Sequence, residues 1–406
     1  MSTGLQSIIS EGTVREISEA HDEPEWLLQR RLDALAALED LDFPDVIRTP
    51  GRKWTDLADL EFESFVDPLT QAEDKEWEAP GGIDVLPFHE AVASEESLVR
   101  DAFGSVVDPE RNYLTALSTA LFTTGTVVSV PEGVDAEDVT IRTTMNSRSL
   151  FNYTLVVTGQ SASATILERQ ETGEPVDGNR YYSGVVEVDA GENSFVQYGT
   201  LQDLSEETYN YQLKRATADT YATANFIDAN VGSRLTKTSV EVSLGGDSSE
   251  TRIVGAFYGH EDQHFDLNSR VWHNAEHTTA DLVTRGVVDD HARSVYEGVQ
   301  NVGREAWDTS SYQRENTLML SDESEADASP KLIINNHDTE ASHSATVGQV
   351  DRQDLFYMTS RGVDERIARN MLVEGFFVPV LEEIEVGELR EDFRGRVRDR
   401  LAQRTA

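Results

Sequence analysis

The richest cluster of groups able to hold a metal or move protons is Gly259-His260-Glu261-Asp262-Gln263-His264-Phe265-Asp266, followed by His273 and His277. Imidazole and carboxylate are the usual donors of catalytic zinc and non-haem iron centres, so a metal-dependent enzyme is one function class this stretch could serve. Both histidine pairs are four residues apart. On a helix that spacing is one turn, but the surrounding residues do not read as helix. On a strand, residues four apart share a face about 13 Å apart, too far to chelate one ion directly. A site from His260, His264, Asp266, His273 and His277 therefore needs neighbouring strands to assemble it; otherwise these are hydrogen-bonded core or surface histidines. Asp289-Asp290-His291 offers acid–base groups, but adjacent acids are frequent in a chain this acidic. No GxxxxGK[ST] phosphate loop and no GxSxG nucleophile elbow occurs. Cysteine is absent altogether, so the chain forms no disulfide, thiolate zinc site, cysteine nucleophile or Cys-ligated iron–sulfur cluster of its own.

A second stretch is more specific: Glu340-Ala341-Ser342-His343-Ser344-Ala345-Thr346-Val347-Gly348-Gln349-Val350-Asp351, then Leu355-Phe356-Tyr357-Met358-Thr359-Ser360-Arg361-Gly362-Val363. Small residues around His343 leave its imidazole accessible. Neutral imidazole is a competent iron ligand and moves protons near neutral pH. Leu355, Phe356 and Tyr357 start an apolar docking face. The plainest reading of His343 is a partly buried histidine at a domain junction.

The elements that must position these groups follow from periodicity. Residues 1 to about 105 read as mainly helical and loop-rich. Pro24 suits a first helical turn, and Leu28, Leu32, Leu35 and Leu38 form one stripe, with Arg30, Arg31, Asp33 and Glu39 free to face water. Asp42-Phe43-Pro44, Thr49-Pro50-Gly51 and Ala79-Pro80-Gly81-Gly82 signal breaks. From about 106 to 345, short β-forming runs such as Thr126–Val130, Tyr153–Val157, Ser183–Val188 and Asp281–Val288 recur every 10–15 residues or so. No amphipathic helices interleave them, which argues against βαβ units. A sandwich, a large barrel or a β-solenoid remain, and the monotony favours the solenoid. Ser321–Ser329, acidic and followed by Pro330, reads as an exposed loop. Helix returns over 346–406, with Leu389, Phe393, Val397 and Leu401 on one stripe.

The formal charge is −41, from 75 acidic and 34 basic residues, and only five of the latter are lysine. Such a surface repels phosphates, which excludes nucleic acid and disfavours anionic membranes as partners. An acid-rich, lysine-poor surface is the pattern of proteins working in concentrated salt, where screening acts over a few ångströms. No apolar run approaches a membrane helix, and Met1–Leu5 lacks a basic, apolar leader; a soluble, cytoplasmic protein is expected.

The run Ser342–Gly348 with Asp351, Leu355-Phe356-Tyr357 and Ser360-Arg361-Gly362-Val363 closely resembles the SufB/SufD family of iron–sulfur cluster assembly proteins, whose hallmark is Ser-His-Gly-Ala-Thr-Val-Gly, then Asp, Leu-Phe-Tyr and Ser-Arg-Gly-Ile. Val130-Pro131-Glu132-Gly133-Val134, Gln263-His264 with Asp266 and His273, and Glu23-Pro24-Glu25-Trp26 with Arg31-Leu32 are similar to further family elements. The resemblance implies a right-handed parallel β-helix flanked by N- and C-terminal helical regions. It implies pairing with a SufB-like paralogue, or with a second copy. It also implies a SufC ATPase on the C-terminal helical region, through Leu355, Phe356, Tyr357, Arg361 and Gly362. His343, with Ser342, Ser344 and Thr346, would stand at the cluster-assembly interface. There His343 is the implied metal contact, and an iron–sulfur cluster would be held transiently, with no cofactor bound stably by this chain. Departures are informative. Ala341 stands where Cys is often found, Ser344 replaces Gly, and no cysteine is present to receive sulfur. Those differences point to a SufD-type, non-catalytic subunit within the family.

Overall fold

The β-forming runs wind into a parallel β-solenoid between Thr124 and Gln349, flanked by helices at both ends. The computed structural model describes residues 9–43, 46–49, 52–56, 66–71, 73–173, 177–384 and 386–403; Pro44, Pro50 and Gly51 of the expected breaks lie outside them. Each rung gives one strand to each of two sheets. One sheet runs from β5 (Thr124–Val130) through the odd-numbered strands to β15 (His264–His273), β17 (Arg293–Val302) and β19 (Glu325–Ile334). The other runs from β6 (Asp135–Met145) through the even-numbered strands to β18 (Thr309–Met319) and β20 (Thr339–Gln349). Strands within each sheet pair in parallel and in register, as in Gln313 opposite His343. Successive side chains alternate between the lumen and the outer face. Because both faces are covered along most of the length, the strands read as nearly continuous buried runs.

No short sequence repeat marks the rungs, yet one conformation repeats at a corner. Ser161, Asn193, Tyr221, Ser248 and His277 all have φ between 56° and 59°. Each donates its backbone N–H to the next rung, to the carbonyls of Glu192, Thr220, Asp247, Glu276 and Trp307 at 2.8–2.9 Å. A left-handed residue costs about 1–2 kcal/mol unless it is glycine or a short polar side chain. The inter-rung bond offsets that cost, so the corner is kept by hydrogen bonding while its residue type varies.

Helices α1 (Glu11–Ala20), α2 (Glu25–Ala37), α3 (Phe88–Ser94), α4 (Glu96–Ala102) and α5 (Tyr113–Leu121) pack against the outer face of the odd-numbered sheet near its start. The region also contains strands. β1 (Val46–Thr49) and β2 (Arg52–Asp56) form a hairpin, while β3 (Glu73–Glu78) and β4 (Asp84–Pro87) add antiparallel to β6 and β5. The β character expected from about residue 106 begins at Thr124. Tyr113–Leu121 is a wholly buried helix, capped by the Asn112 side chain accepting from the Thr115 N–H.

Two expectations are corrected. The buried stripe of α2 is Leu27, Arg31, Ala34 and Leu38, with Leu28, Leu32 and Leu35 only partly buried. Arg31 does not face water. Its guanidinium makes two bonds to the Glu23 carboxylate (2.8 and 2.6 Å) and one to the Ala120 carbonyl, and stacks 3.8 Å over Phe122. Full pairing and hydrogen bonding are what make a buried cation tolerable. The expected loop 321–329 is a turn only to Ser324; β19 then runs from Glu325 through Pro330. Proline is accepted there because β19 is an edge strand, with β17 its sole sheet neighbour among the described residues.

Beyond β20 come α6 (Arg352–Ser360), α7 (Glu365–Glu383) and α8 (Gly387–Gln403); α7 and α8 fold back over the even-numbered sheet. Leu389, Phe393, Val397 and Leu401 are all buried, as their spacing predicts. Arg169 pairs with Glu388 and Asp392, and Arg252 with Glu383. Among the described residues no helix is long and apolar enough to cross a membrane.

Candidate functional site

The stretch around His343 forms β20, the last strand of its sheet, paired to β18 on one side. Register divides the expected site residues between two faces. Ser311, Gln313, Glu315 and Thr317 of β18 point into the lumen and are buried. Their partners Ala341, His343, Ala345 and Val347 continue that inward file onto the last rung. Ser342, Ser344 and Thr346 lie on the outward face. The methyl groups of Ala341 and Ala345 are thus what flank His343 on its own face, and His343 is exposed. The facing strand β19 presents Ala328, Pro330 and Leu332, the partners of Tyr296, Gly298 and Gln300, to the same opening. His343 therefore stands at the mouth of the solenoid on a wall of small residues, opposite an apolar wall.

The residues expected to dock a partner follow β20 in the chain. Asp351 caps α6, its carboxylate accepting from the Gln353 N–H at 2.6 Å. Leu355 is half-buried on α6, whereas Phe356 and Tyr357 are 73% and 58% exposed. The Arg361 guanidinium lies 4.7 Å over the Tyr357 ring. Gly362, at φ +87°, makes the left-handed turn that ends α6; its N–H and that of Val363 donate to the carbonyls of Thr359 and Met358. Asp364 then caps α7, which leaves Ile367, Met371 and Val378 exposed.

The histidine-rich segment is not brought to one point. His264 and His273 are the two ends of β15, about 30 Å apart. They also face opposite ways. His273 is in the lumen, bonded to Thr278 (2.8 Å) and Gln300 (3.4 Å), and burial lowers its pKa to about 4. His264 is on the outer face, where burial likewise lowers its pKa to about 4. Asp266 on that face pairs with Lys237 at 3.5 Å. His260 sits in the turn before β15 against Glu206 at 3.0 Å, and His277 in the next corner against Asp308 at 2.8 Å. Among the described residues no three or more His, Asp or Glu side chains are gathered to hold a metal. This segment is built into rungs and corners, which removes the geometric basis for a metal enzyme at that place.

Sequence reading passed over the polar residues directly behind His343. Glu315 is buried one rung in, and burial raises its carboxyl to about pKa 7 against a single hydrogen bond from Thr317. The signal was the alternation Ser311-x-Gln313-x-Glu315-x-Thr317, which marks one strand face.

A parallel solenoid of this length, with helices folded on two outer faces and a histidine at its open mouth, is a protein whose candidate site is an edge and not a cleft. The chain belongs to the SufB/SufD family: the model for the SUF system FeS cluster assembly, SufBD core domain, matches residues 141–376. Among curated relatives, the iron-sulfur cluster assembly protein SufD of Bacillus subtilis is 27% identical over 95% of this chain and 96% of its own length. SufB of the same organism is 26% identical over 91% and 88%. An iron-sulfur cluster assembly SufBD family protein of Staphylococcus saprophyticus is 27% identical over 93% and 90%. The SufB and SufD relatives are equally near, so identity alone does not divide them.

Proposed function

We propose that this chain is a SufD-type scaffold subunit, without catalysis of its own, of a complex that assembles and transfers iron–sulfur clusters. The observation that carries the reading is His343 at an open solenoid mouth in a chain that has no cysteine. Thiolate, not hydroxyl, accepts sulfur and is the usual iron ligand in clusters. A partner must therefore bring the sulfur chemistry, and this chain supplies an imidazole and a surface.

The edges of β19 and β20 are where a SufB-like paralogue, or a second copy, would seat, with the cluster held transiently between the two chains as cargo. Ser342, Ser344 and Thr346 face outward beside it, as contacts that leave His343 accessible. The exposed face of α6, with Phe356 and Tyr357, and the turn at Arg361-Gly362 would dock a SufC-type ATPase, which hydrolyses ATP on behalf of the complex.

Affinity purification of the tagged chain from its native lysate, in high salt, tests this directly. SufB-like and SufC-like subunits are expected in the eluate, and recovery of neither overturns the reading. Size exclusion of the co-expressed chains separates a heterodimer from a homodimer.

A further inference from the structure

The first rung of the solenoid is not packed solid. Between α1, the segment 66–71 and the start of the two sheets lies a cavity of about 400 Å³. Pockets for small organic molecules are of this size. Ile17, Leu69 and Leu150 give it apolar walls, and Glu16, His21 and Glu73 face it as titratable groups. Glu16 is exposed and Leu69 is 49% exposed, so the cavity opens to solvent on their side. Glu73 lies deeper, beside Thr124.

Glu73 is the group that the fold leaves wanting. It stands on β3, opposite the buried Met145 of β6, and Lys75 on the same face stands opposite the buried Thr143. The Thr124 hydroxyl donates to Glu73 Oε1, but Oε2 is buried and makes no hydrogen bond. The Lys75 ammonium is 3.9 Å from Oε2 and is directed elsewhere, donating to Asn152 Oδ1 at 2.6 Å and to Thr124 Oγ1 at 3.4 Å. Behind them Glu168, fully buried, accepts from the Tyr198 hydroxyl at 2.7 Å and from the Asn152 amide at 3.5 Å. Lys214, further along the lumen, is paired with Asp228. Two carboxylates therefore share the ammonium of Lys75, and the cluster is one positive charge short. Buried polar atoms are nearly always satisfied, and a buried carboxylate needs a cation or several donors. Burial accordingly raises the pKa of Glu73, and a bound cation would hold it ionised.

The walls say what kind of cation. Three apolar side chains offer no oxygen to a bare metal ion, and among the described residues no three His, Asp or Glu are gathered to hold one. A primary ammonium brings three N–H donors on one end and an apolar stem on the other, as a lysine side chain does. His21, whose pKa is lowered by burial, presents a neutral ring and does not repel it. We propose that this cavity binds a small primary amine in its ammonium form, anchored on the Glu73 carboxylate with its alkyl body against Ile17, Leu69 and Leu150. The site lies at the opposite end of the solenoid from His343 and asks nothing of a partner chain.

The probe is n-butylammonium chloride, titrated into the full chain in high-salt buffer at constant ionic strength and followed by calorimetry and saturation-transfer NMR. One equivalent is expected. Methylammonium, which lacks the body, and n-butanol, which lacks the charge, should each bind about tenfold more weakly or worse. Glu73→Gln should weaken n-butylammonium by about tenfold or more, whereas Glu276→Gln, an exposed carboxylate at a distant corner, leaves it unchanged. Circular dichroism melts check folding. Should Glu73→Gln not fold, Leu69→Ser, at a half-exposed wall position, carries the test by bringing n-butylammonium down towards methylammonium. Absence of the equivalent overturns the site. So does n-butanol binding as tightly, which would mean an apolar hollow only, or binding indifferent to both substitutions, which would mean that the acidic surface at large holds the amine.

Discussion

The two ends of the solenoid are built on opposite principles. At the first rung, β3 and β4 add antiparallel to β6 and β5, closing both sheets with strands that the parallel winding cannot extend. Phe88, Phe103, Phe122 and Tyr153 then pack with ring centroids 4.8–5.9 Å apart. Glu187 on the outer face accepts from the amides of Gly104, Val106 and Val107 and from the Tyr153 hydroxyl, fastening the helical region to the sheet. At the last rung, β19 and β20 have no further strand among the described residues, and much of β20 is exposed. An open sheet edge is normally blocked because it invites pairing. The chain thus seals one end of the solenoid with strands, helices and aromatic rings, and leaves the edges of β19 and β20 open to pairing.

The contrast is broken most forcefully at the sealed end. Phe88→Ala empties a fully buried site and is expected to cost about 3–5 kcal/mol in denaturant unfolding. Arg31→Ala should cost a similar amount, about 3–5 kcal/mol, because it strands the buried Glu23 carboxylate. If either variant unfolds at the wild-type midpoint, the helical region is not part of the cooperative unit.

Acid sharpens the same point with a smaller effect. His89 stacks on His21 with centroids 3.8 Å apart, and burial chiefly, with the neighbouring His21, lowers its pKa to about 4. The Glu23 carboxylate opposes the shift, Arg31 adds to it, and the Thr123 carbonyl accepts from or faces its Nε2 at 3.1 Å. A histidine with a depressed folded pKa binds more protons when unfolded. Its contribution is thus complete above pH 6.5 and is lost as pH falls towards 4. At about 1.4 kcal/mol per pKa unit, roughly 3 kcal/mol disappears over that window. His89→Gln should flatten this part of the stability–pH curve, measured by urea unfolding between pH 4 and 7 in constant salt; an unchanged slope would place the proton elsewhere.

How legible all this was in the sequence depends on what kind of force acts. Local β character from Tyr153 to Val157, or the spacing of Leu389, Phe393, Val397 and Leu401, is a periodic signal and was readable at once. The corner ladder was not, because Ser161, Asn193, Tyr221, Ser248 and His277 share a backbone angle and a hydrogen bond but no side-chain type. Arg31 was misread because its partners, Glu23 and the Ala120 carbonyl, come from outside its helix. Pro330 looked like a loop because edge position is a property of the whole sheet. For the site, His343 and the aromatic run after it were visible as residues. Their division into inward and outward files, and the presence of Glu315 behind, required the pairing of β18 with β20.

The smallest expected effect on stability belongs to the open end, and it is the sharpest test of the comparison. Val347 lies on the inward file of β20 and is 38% exposed. An exposed position with no cap, cavity or buried pair behind it usually tolerates substitution within about 0.5 kcal/mol. Val347→Asp should therefore leave the denaturation midpoint of the isolated chain nearly unchanged. A carboxylate placed on a pairing edge must be desolvated when a second chain seats, and without a matching cation that cost prevents assembly. Size exclusion of the co-expressed subunits is expected to show the variant folded but unpaired. A Val347→Asp chain that unfolds early would mean the last rung is part of the core, and one that still pairs would mean the partner seats elsewhere.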